Sequence, residues 1–148
     1  MQRRATVVWP GDLKNDKGAL PTQSSILSDT SFSFKTRFEN GIGTNPEELL
    51  AAAHAGCFAM ALSAQLGKAG LTPENLETTA TITFEKVGEH FAIRKSHLDL
   101  QALVPGANQE AFDAAVRAAE TGCPVSKLFK AEISVDAGLE VTACSAVV

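Results

Sequence analysis

The segment 44–68 constrains the fold most strongly, because it carries clear signals for one long helix. Asn45 can accept a backbone N–H as the N-cap, and Pro46 suits the first helical position, where its missing N–H has no intrahelical partner. The two acidic residues that follow favour the positive end of the helix dipole. The pattern stops at Gly70. These signals predict a helix that begins near Pro46 and ends near Lys68.

Cys57 lies in the middle of this predicted helix. On a period of 3.6 residues it shares one face with a set of small or apolar residues: Leu50, Ala53, Met60, Ala61 and Ala64. We therefore expect the thiol to point inward onto an apolar seam. The run from Ala51 to Gly56 carries little side chain apart from His54, so another backbone could approach it closely.

The rest of the chain alternates between strand and helix patterns. Strands are predicted at Arg4–Trp9, Ala19–Ser25, Ser31–Phe38, Thr78–Val87, His90–Val104 and Ala131–Val135. Shorter helices are predicted after Asn108 and from Cys123 to about Phe129. Gly88 begins a two-residue turn, and the apolar face switches near Lys95 and Ser96, which indicates a bulge.

This order, β-β-β-α-β-β-α-α-β, predicts an α+β fold in which an antiparallel sheet curves around the central helix. The chain has the length of a single domain, 1–148, with a loose tail at 143–148. On the strand 31–38 the phenylalanines share one face. Arg37 is predicted to project from the opposite one.

Composition excludes several classes of function. A net charge of −4 with 13 scattered basic residues gives no reason to expect a nucleic-acid partner. Three cysteines are too few for a disulfide framework. We also expect no signal peptide and no membrane partner, because no apolar run approaches the roughly 20 residues of a spanning helix. The chain is therefore predicted to be cytoplasmic.

Two cysteines occupy distinctive positions. Cys57 taken alone is more often a core residue than a nucleophile. Cys123 precedes Pro124 at the predicted start of a short helix, where the dipole favours a thiolate. Two cysteines in such settings indicate a redox pair, and on the residues alone Cys123 is the better nucleophile.

Three motifs resemble the OsmC branch of the OsmC/Ohr hydroperoxide reductases: Asn-Pro-Glu-Glu-Leu at 45–49, Ala-Ala-His-Ala-Gly-Cys-Phe at 52–58, and Gly-Cys-Pro-Val-Ser at 122–126. The resemblance spans nearly the whole chain. It implies a thiol peroxidase that reduces organic hydroperoxides in oxidative and osmotic stress defence. An external dithiol, lipoyl-type in this family, would reset the enzyme, and no metal or bound cofactor is required.

The resemblance also implies roles for four residues, and it opposes the local argument about the cysteines. Cys57 would attack the peroxide and Cys123 would resolve the resulting sulfenic acid as an intramolecular disulfide. Arg37 would lower the pKa of the Cys57 thiol and polarise the peroxide. Glu47 would hold Arg37 in place. We adopt this assignment as the prediction.

Helical geometry indicates how the chain assembles. Glu47 and Cys57 face roughly the same way but lie about 15 Å apart along the helix axis, at about 1.5 Å per residue. One chain's Glu47 therefore cannot reach its own Cys57. Two such helices packed antiparallel across a two-fold axis near Ala52 would bring Glu47 of one level with Cys57 of the other. We therefore expect a homodimer with shared sites, intertwined as the resemblance implies.

Two other functions remain open on the sequence. His54, Cys57 and Cys123 could offer three metal ligands, although zinc normally needs a fourth. The chain could also be a binding module whose thiols are merely buried. His54 could serve as a base for Cys57, but a structural histidine is the preferred interpretation. Outside these motifs, Cys144 is predicted to be a bystander, and His90 and His97 to be surface or sheet residues.

Overall fold

The computed structural model describes residues 1–142. Their contacts divide the chain into two compact units, one at Met1–Leu49 and one that begins at Leu50. Each unit has its own sheet, with two strands in the first and three in the second. That the whole chain forms a single domain stays a prediction. The predicted tail 143–148, with Cys144, lies outside the described residues.

In the first unit, strand β1 (Lys17–Leu20) pairs antiparallel with β2 (Thr30–Ser33), and helix α1 (Phe34–Phe38) follows at once. The strand predicted across 31–38 is therefore wrong in its second half. Ser33 and Thr36 form a capping box, in which each side chain accepts the other residue's backbone N–H. This local pairing outweighs the alternating pattern. The strand predicted at the N-terminus is reduced to two isolated bridges.

Helix α2 (Pro46–Lys68) has the predicted bounds, and Asn45 caps it by accepting the Glu48 N–H at 2.8 Å. Its predicted inward face is wrong. The buried residues are His54, Phe58, Leu62 and Leu66, whereas Met60 is 77% exposed. Alanine side chains are small and bury little area on any side of a helix. The four larger residues therefore determine which side of the helix enters the core.

Helix α2 also meets the length and composition of a membrane span, with 23 residues and an 18-residue stretch whose mean hydropathy is 1.5. The expectation that no segment approaches this length is therefore wrong. The core helix of a soluble protein passes the same test, so the absence of a membrane partner stays a prediction.

In the second unit, β3 (Asn75–Val87) and β4 (His90–Leu103) form the predicted hairpin, with Gly88 at a φ of +63° in the turn. The register shifts opposite Arg94, one residue before the predicted bulge. Strand β5 (Glu132–Glu140) pairs parallel with β4, so the sheet is mixed rather than antiparallel. Two helices separate β4 from β5, and such a crossover allows a parallel return.

Those two helices are α3 (Gln109–Gly122), capped by Asn108 as expected, and α4 (Pro124–Leu128). Cys123 lies between them and donates its N–H to the carbonyl of Ala119. One core joins the buried faces of α2, α3 and β4. The observed order is β-β-α-α-β-β-α-α-β, and the α+β class is confirmed. The intertwined dimer stays a prediction.

The corrected face of α2 yields a test. Leu62 is fully buried, so Leu62→Ala should lower the free energy of unfolding by about 2–5 kcal/mol. Its exposed neighbour Ser63, changed to alanine, should alter that free energy by no more than about 0.5 kcal/mol. Denaturant unfolding measures both, and equal losses would contradict the assigned face.

Candidate active site

Cys57 and Cys123 are brought together although 66 positions separate them in the chain. Cys57 lies on α2 at the edge of the core, half-buried, and Cys123 is fully buried between α3 and α4. Their Sγ atoms are 3.0 Å apart, and both thiols are free. The structure thus assembles the pair that the sequence singles out.

The surroundings of the two sulfurs differ. Burial, followed by the hydrogen bond with Cys123, raises the pKa of the Cys57 thiol, and the Val125 N–H only partly offsets this. Burial also acts to raise the pKa of Cys123, but hydrogen bonding with Cys57, with the Ser126 N–H and hydroxyl and with the Val125 N–H outweighs it and lowers that pKa. Within this unit, negative charge is therefore more stable on Cys123, as the residues alone indicate.

Arg37 and Glu47 form the predicted ion pair. The guanidinium Nη2 lies 2.8 Å from Glu47 Oε1, and Nε lies 3.2 and 3.3 Å from the two carboxylate oxygens. This two-pronged geometry fixes the plane of the guanidinium. Arg37 is on α1 rather than on a strand, so its predicted separation from the phenylalanines is wrong: its Cζ lies 5.5 Å from the centre of the Phe38 ring.

A largely apolar cavity of about 320 Å³ adjoins Arg37 within the first unit. Aromatic rings form much of its wall, from Trp9, Phe32, Phe34 and Phe38. Trp9 and Phe32 pack with ring centres 5.3 Å apart. The cavity therefore offers an apolar surface beside a cation.

His54 is fully buried and makes two hydrogen bonds. Its Nδ1 lies 2.6 Å from Ser96 Oγ, and its Nε2 lies 2.8 Å from Ser126 Oγ. Burial lowers the pKa of His54, which keeps the imidazole neutral near pH 7. The preferred interpretation, a structural histidine, is supported. Both ring nitrogens already have serine partners, so His54 presents no free nitrogen to a metal. This opposes the alternative metal site at His54, Cys57 and Cys123.

Sequence reasoning missed the two serines. Ser126 stands inside the motif that begins at Gly122, yet nothing in its spacing indicated a role. Ser96 did leave a signal, because it lies on the same side of β4 as the buried Leu98 and Leu100. A polar residue on a core-facing strand position normally has a buried partner.

Among residues 1–142, three potential metal ligands converge only at His97, Asp99 and Asp136. Nε2 of His97 lies 3.4 and 3.1 Å from the two carboxylates, and Ser134 Oγ contacts its Nδ1. Both aspartates are exposed, and exposed acidic groups are common without a metal. As predicted, His97 is a sheet residue, and His90 is an exposed residue of β4.

Comparisons with known proteins identify the family to which the chain is similar. The model of the OsmC-like protein family matches residues 39–138. Peroxiredoxin OsmC of Escherichia coli K12 is 46% identical over 136 residues, which cover 92% of this chain and 95% of that protein. Organic hydroperoxide resistance protein-like 2 of Staphylococcus epidermidis is 32% identical over 105 residues, covering 71% and 72% of the two chains.

Solved structures show the same fold. The organic hydroperoxide resistance protein OhrB of Bacillus subtilis superposes with a TM-score of 0.69 at 24% identity, over 93% of this chain and 98% of that one. An OsmC-like protein of unknown function from Vibrio cholerae superposes with a TM-score of 0.76 at 14% identity, over 93% and 99%. By its sequence relatives the chain is a peroxiredoxin-type oxidoreductase. It belongs to the OsmC family.

Proposed function

We propose that this chain reduces organic hydroperoxides to alcohols through Cys57 and Cys123, in defence against oxidative and osmotic stress. The observation that carries the proposal is the 3.0 Å separation of the two Sγ atoms. A binding module with merely buried thiols would not require two sulfurs from distant segments to meet. The names of the relatives, a peroxiredoxin and a hydroperoxide resistance protein, support the same chemistry.

In the proposed reaction the Cys57 thiolate attacks the peroxide O–O bond. One oxygen stays on Cys57 as a sulfenic acid, and the other leaves as an alcohol after taking a proton. The Cys123 sulfur then attacks the sulfenic sulfur and expels water, which forms the disulfide. The sulfurs must approach by only about 1 Å, because a disulfide is about 2.05 Å long.

Cys57 needs a cation for this reaction, since burial raises the pKa of its thiol. Arg37 is the proposed cation, and its ion pair with Glu47 supports the role because it fixes the guanidinium. The apolar cavity beside Arg37 suits the alkyl portion of an organic hydroperoxide better than a small polar peroxide.

We place these groups in a homodimer in which Arg37 and Glu47 of one chain serve Cys57 of the other. The surface of α2 supports this arrangement. Ala52, Ala53 and Gly56 are exposed, and a Cβ added at Gly56 would meet nothing within 4 Å. Another helix could therefore pack closely along this stretch.

The proposed enzyme acts in the cytoplasm, and an external dithiol of the lipoyl type reduces the disulfide. The two sulfurs hold both redox equivalents, so the proposed cycle needs no prosthetic group.

The two cysteines should fail differently when replaced. Cys57→Ser should abolish hydroperoxide reduction, because a serine hydroxyl is not ionised at neutral pH. Cys123→Ser should allow one attack and leave Cys57 as a sulfenic acid, so turnover stops while a sulfenate-specific reagent labels Cys57. Full activity in Cys57→Ser would refute the mechanism, and labelling of Cys123 in that variant would show that the roles are reversed.

Removing the Arg37 charge should shift the pH dependence of the peroxide reaction. Without a nearby cation the pKa of the Cys57 thiol rises, so the rise in rate with pH moves to higher pH, and the rate at pH 7 falls about tenfold or more. Single-turnover rates of Arg37→Ala across pH measure this. Lys35→Ala is the matched control, because it removes an exposed charge from the same helix. An unchanged Arg37→Ala profile contradicts the proposed role.

Shared sites can be tested by mixing inactive chains. A heterodimer of Glu47→Ala and Cys57→Ser chains has one site built from intact Cys57 of the first and intact Glu47 of the second. Co-expression with two affinity tags should yield purified heterodimers with up to about half the activity per dimer of the wild type, since one of two sites is complete. Inactive heterodimers, or a fully active monomer, would rule out the shared site.

A further inference from the structure

A chain of buried polar side chains leads from the sheet to Cys123. Ser96 on β4 contacts His54 on α2, and His54 contacts Ser126, the third residue of α4, whose N-cap is Cys123. Ser96 and His54 are fully buried, and Ser126 is 9% exposed. The proposed peroxide chemistry assigns no role to His54. Its contact with Ser126, a residue that lowers the pKa of Cys123, gives it one.

Donation from the Ser126 hydroxyl to the Cys123 sulfur would fix the direction of the other hydrogen bonds. Ser126 has one O–H, and when it donates to the sulfur its oxygen must accept from His54 Nε2. A neutral imidazole carries one N–H, so Nδ1 then accepts from the Ser96 hydroxyl. Burial lowers the pKa of His54 and so favours this neutral form. In this arrangement both ring nitrogens of His54 and both serine hydroxyls have partners.

We propose that His54 is a positioning residue, whose Nε2–H holds the Ser126 hydroxyl in the orientation that donates to Cys123 Sγ. In this tautomer the Ser96 hydroxyl donates to Nδ1. The N–H groups of Val125 and Ser126 also act to lower the pKa of this thiol. Cys57 is the titratable group in direct contact with Cys123, and its sulfur is the partner in the proposed disulfide.

This inference rests on the proposed function for its consequence, which concerns the reset step. The lowered pKa of Cys123 makes it the better leaving group in thiol–disulfide exchange. Cys123 is also fully buried, whereas Cys57 is partly exposed. A reductant thiolate therefore attacks Cys57 Sγ. The Cys57–Cys123 bond breaks, its electron pair goes to Cys123, and the reductant stays joined to Cys57 until its second thiol displaces it.

The positioning role can be measured without any peroxide or reductant. In a chain with Cys57→Ser and Cys144→Ser, Cys123 is the single remaining cysteine, and the sequence has no tyrosine. Absorbance near 240 nm then reports the Cys123 thiolate across pH. Adding His54→Leu should lower the ratio of thiolate to thiol at a fixed pH about tenfold, the expected effect of losing one oriented hydrogen bond to a charged sulfur. His54→Gln, whose amide N–H can reach Ser126, should restore much of the ratio.

Two further variants separate positioning from folding. Ser126→Ala should lower the ratio as His54→Leu does, and combining the two should lower it no further, because both act through one hydroxyl. Ser134→Ala is the matched control, since it removes a serine that contacts a different histidine, His97, and should change nothing. Circular dichroism verifies that each variant is folded.

An unchanged ratio in folded His54→Leu would overturn the proposal, and so would a further tenfold loss when His54→Leu is added to Ser126→Ala. If His54→Leu does not fold, the comparison of His54→Gln with Ser126→Ala decides, because equal ratios in these two would also overturn it. A chain that lacks peroxidase activity yet shows the expected titrations would refute the proposed function and leave the positioning role intact.

Discussion

The rotation of α2 about its own axis is the constraint on which the candidate site depends. Four large side chains on one side of the helix enter the core, and His54, the first of them, is tied to β4 and α4 by hydrogen bonds. Cys57 lies three residues later, at the border of that buried face. A small rotation either way would expose its thiol fully or bury it, and would separate it from Cys123. Core packing therefore sets the 3.0 Å contact between the sulfurs.

The ends of the elements could be predicted from the sequence more reliably than their faces. Asn45 and Asn108 cap helices as expected, and Gly88 makes the hairpin turn, because each of these signals depends on a few neighbouring atoms. The buried face of α2 could not be predicted, since in an alanine-rich helix the choice depends on which side chains find space in the rest of the core. The parallel pairing of β5 likewise depends on tertiary arrangement.

The distinction between local signals and tertiary contacts applies to the candidate site as well. Both cysteines and the Arg37–Glu47 pair were identified from the sequence, the pair through the family resemblance alone. Ser96 and Ser126 were missed because their role depends on contacts with His54. Ser96 lies 42 positions from His54 in the sequence, and Ser126 lies 72 positions from it. Composition and spacing contain little information about such distant partners. Helix α1 forms where a strand was expected, and here a local signal was missed. The capping box that starts this helix lies within an alternating pattern typical of a strand.

The opposed pKa shifts of the two thiols fit a reaction in two stages. A pair of sulfurs 3.0 Å apart holds one negative charge far more easily than two, because like charges so close repel strongly. Within the second unit that charge favours Cys123. In the proposed dimer the Arg37 guanidinium of the other chain stabilises the negative charge on Cys57, which attacks the peroxide. Once Cys57 is a neutral sulfenic acid, the negative charge is most stable on Cys123, because the pKa of that thiol is lowered. The Cys123 thiolate can then attack the sulfenic sulfur. The lowered pKa of Cys123, which on the residues alone opposes the family assignment, thus suits the second step of the proposed reaction.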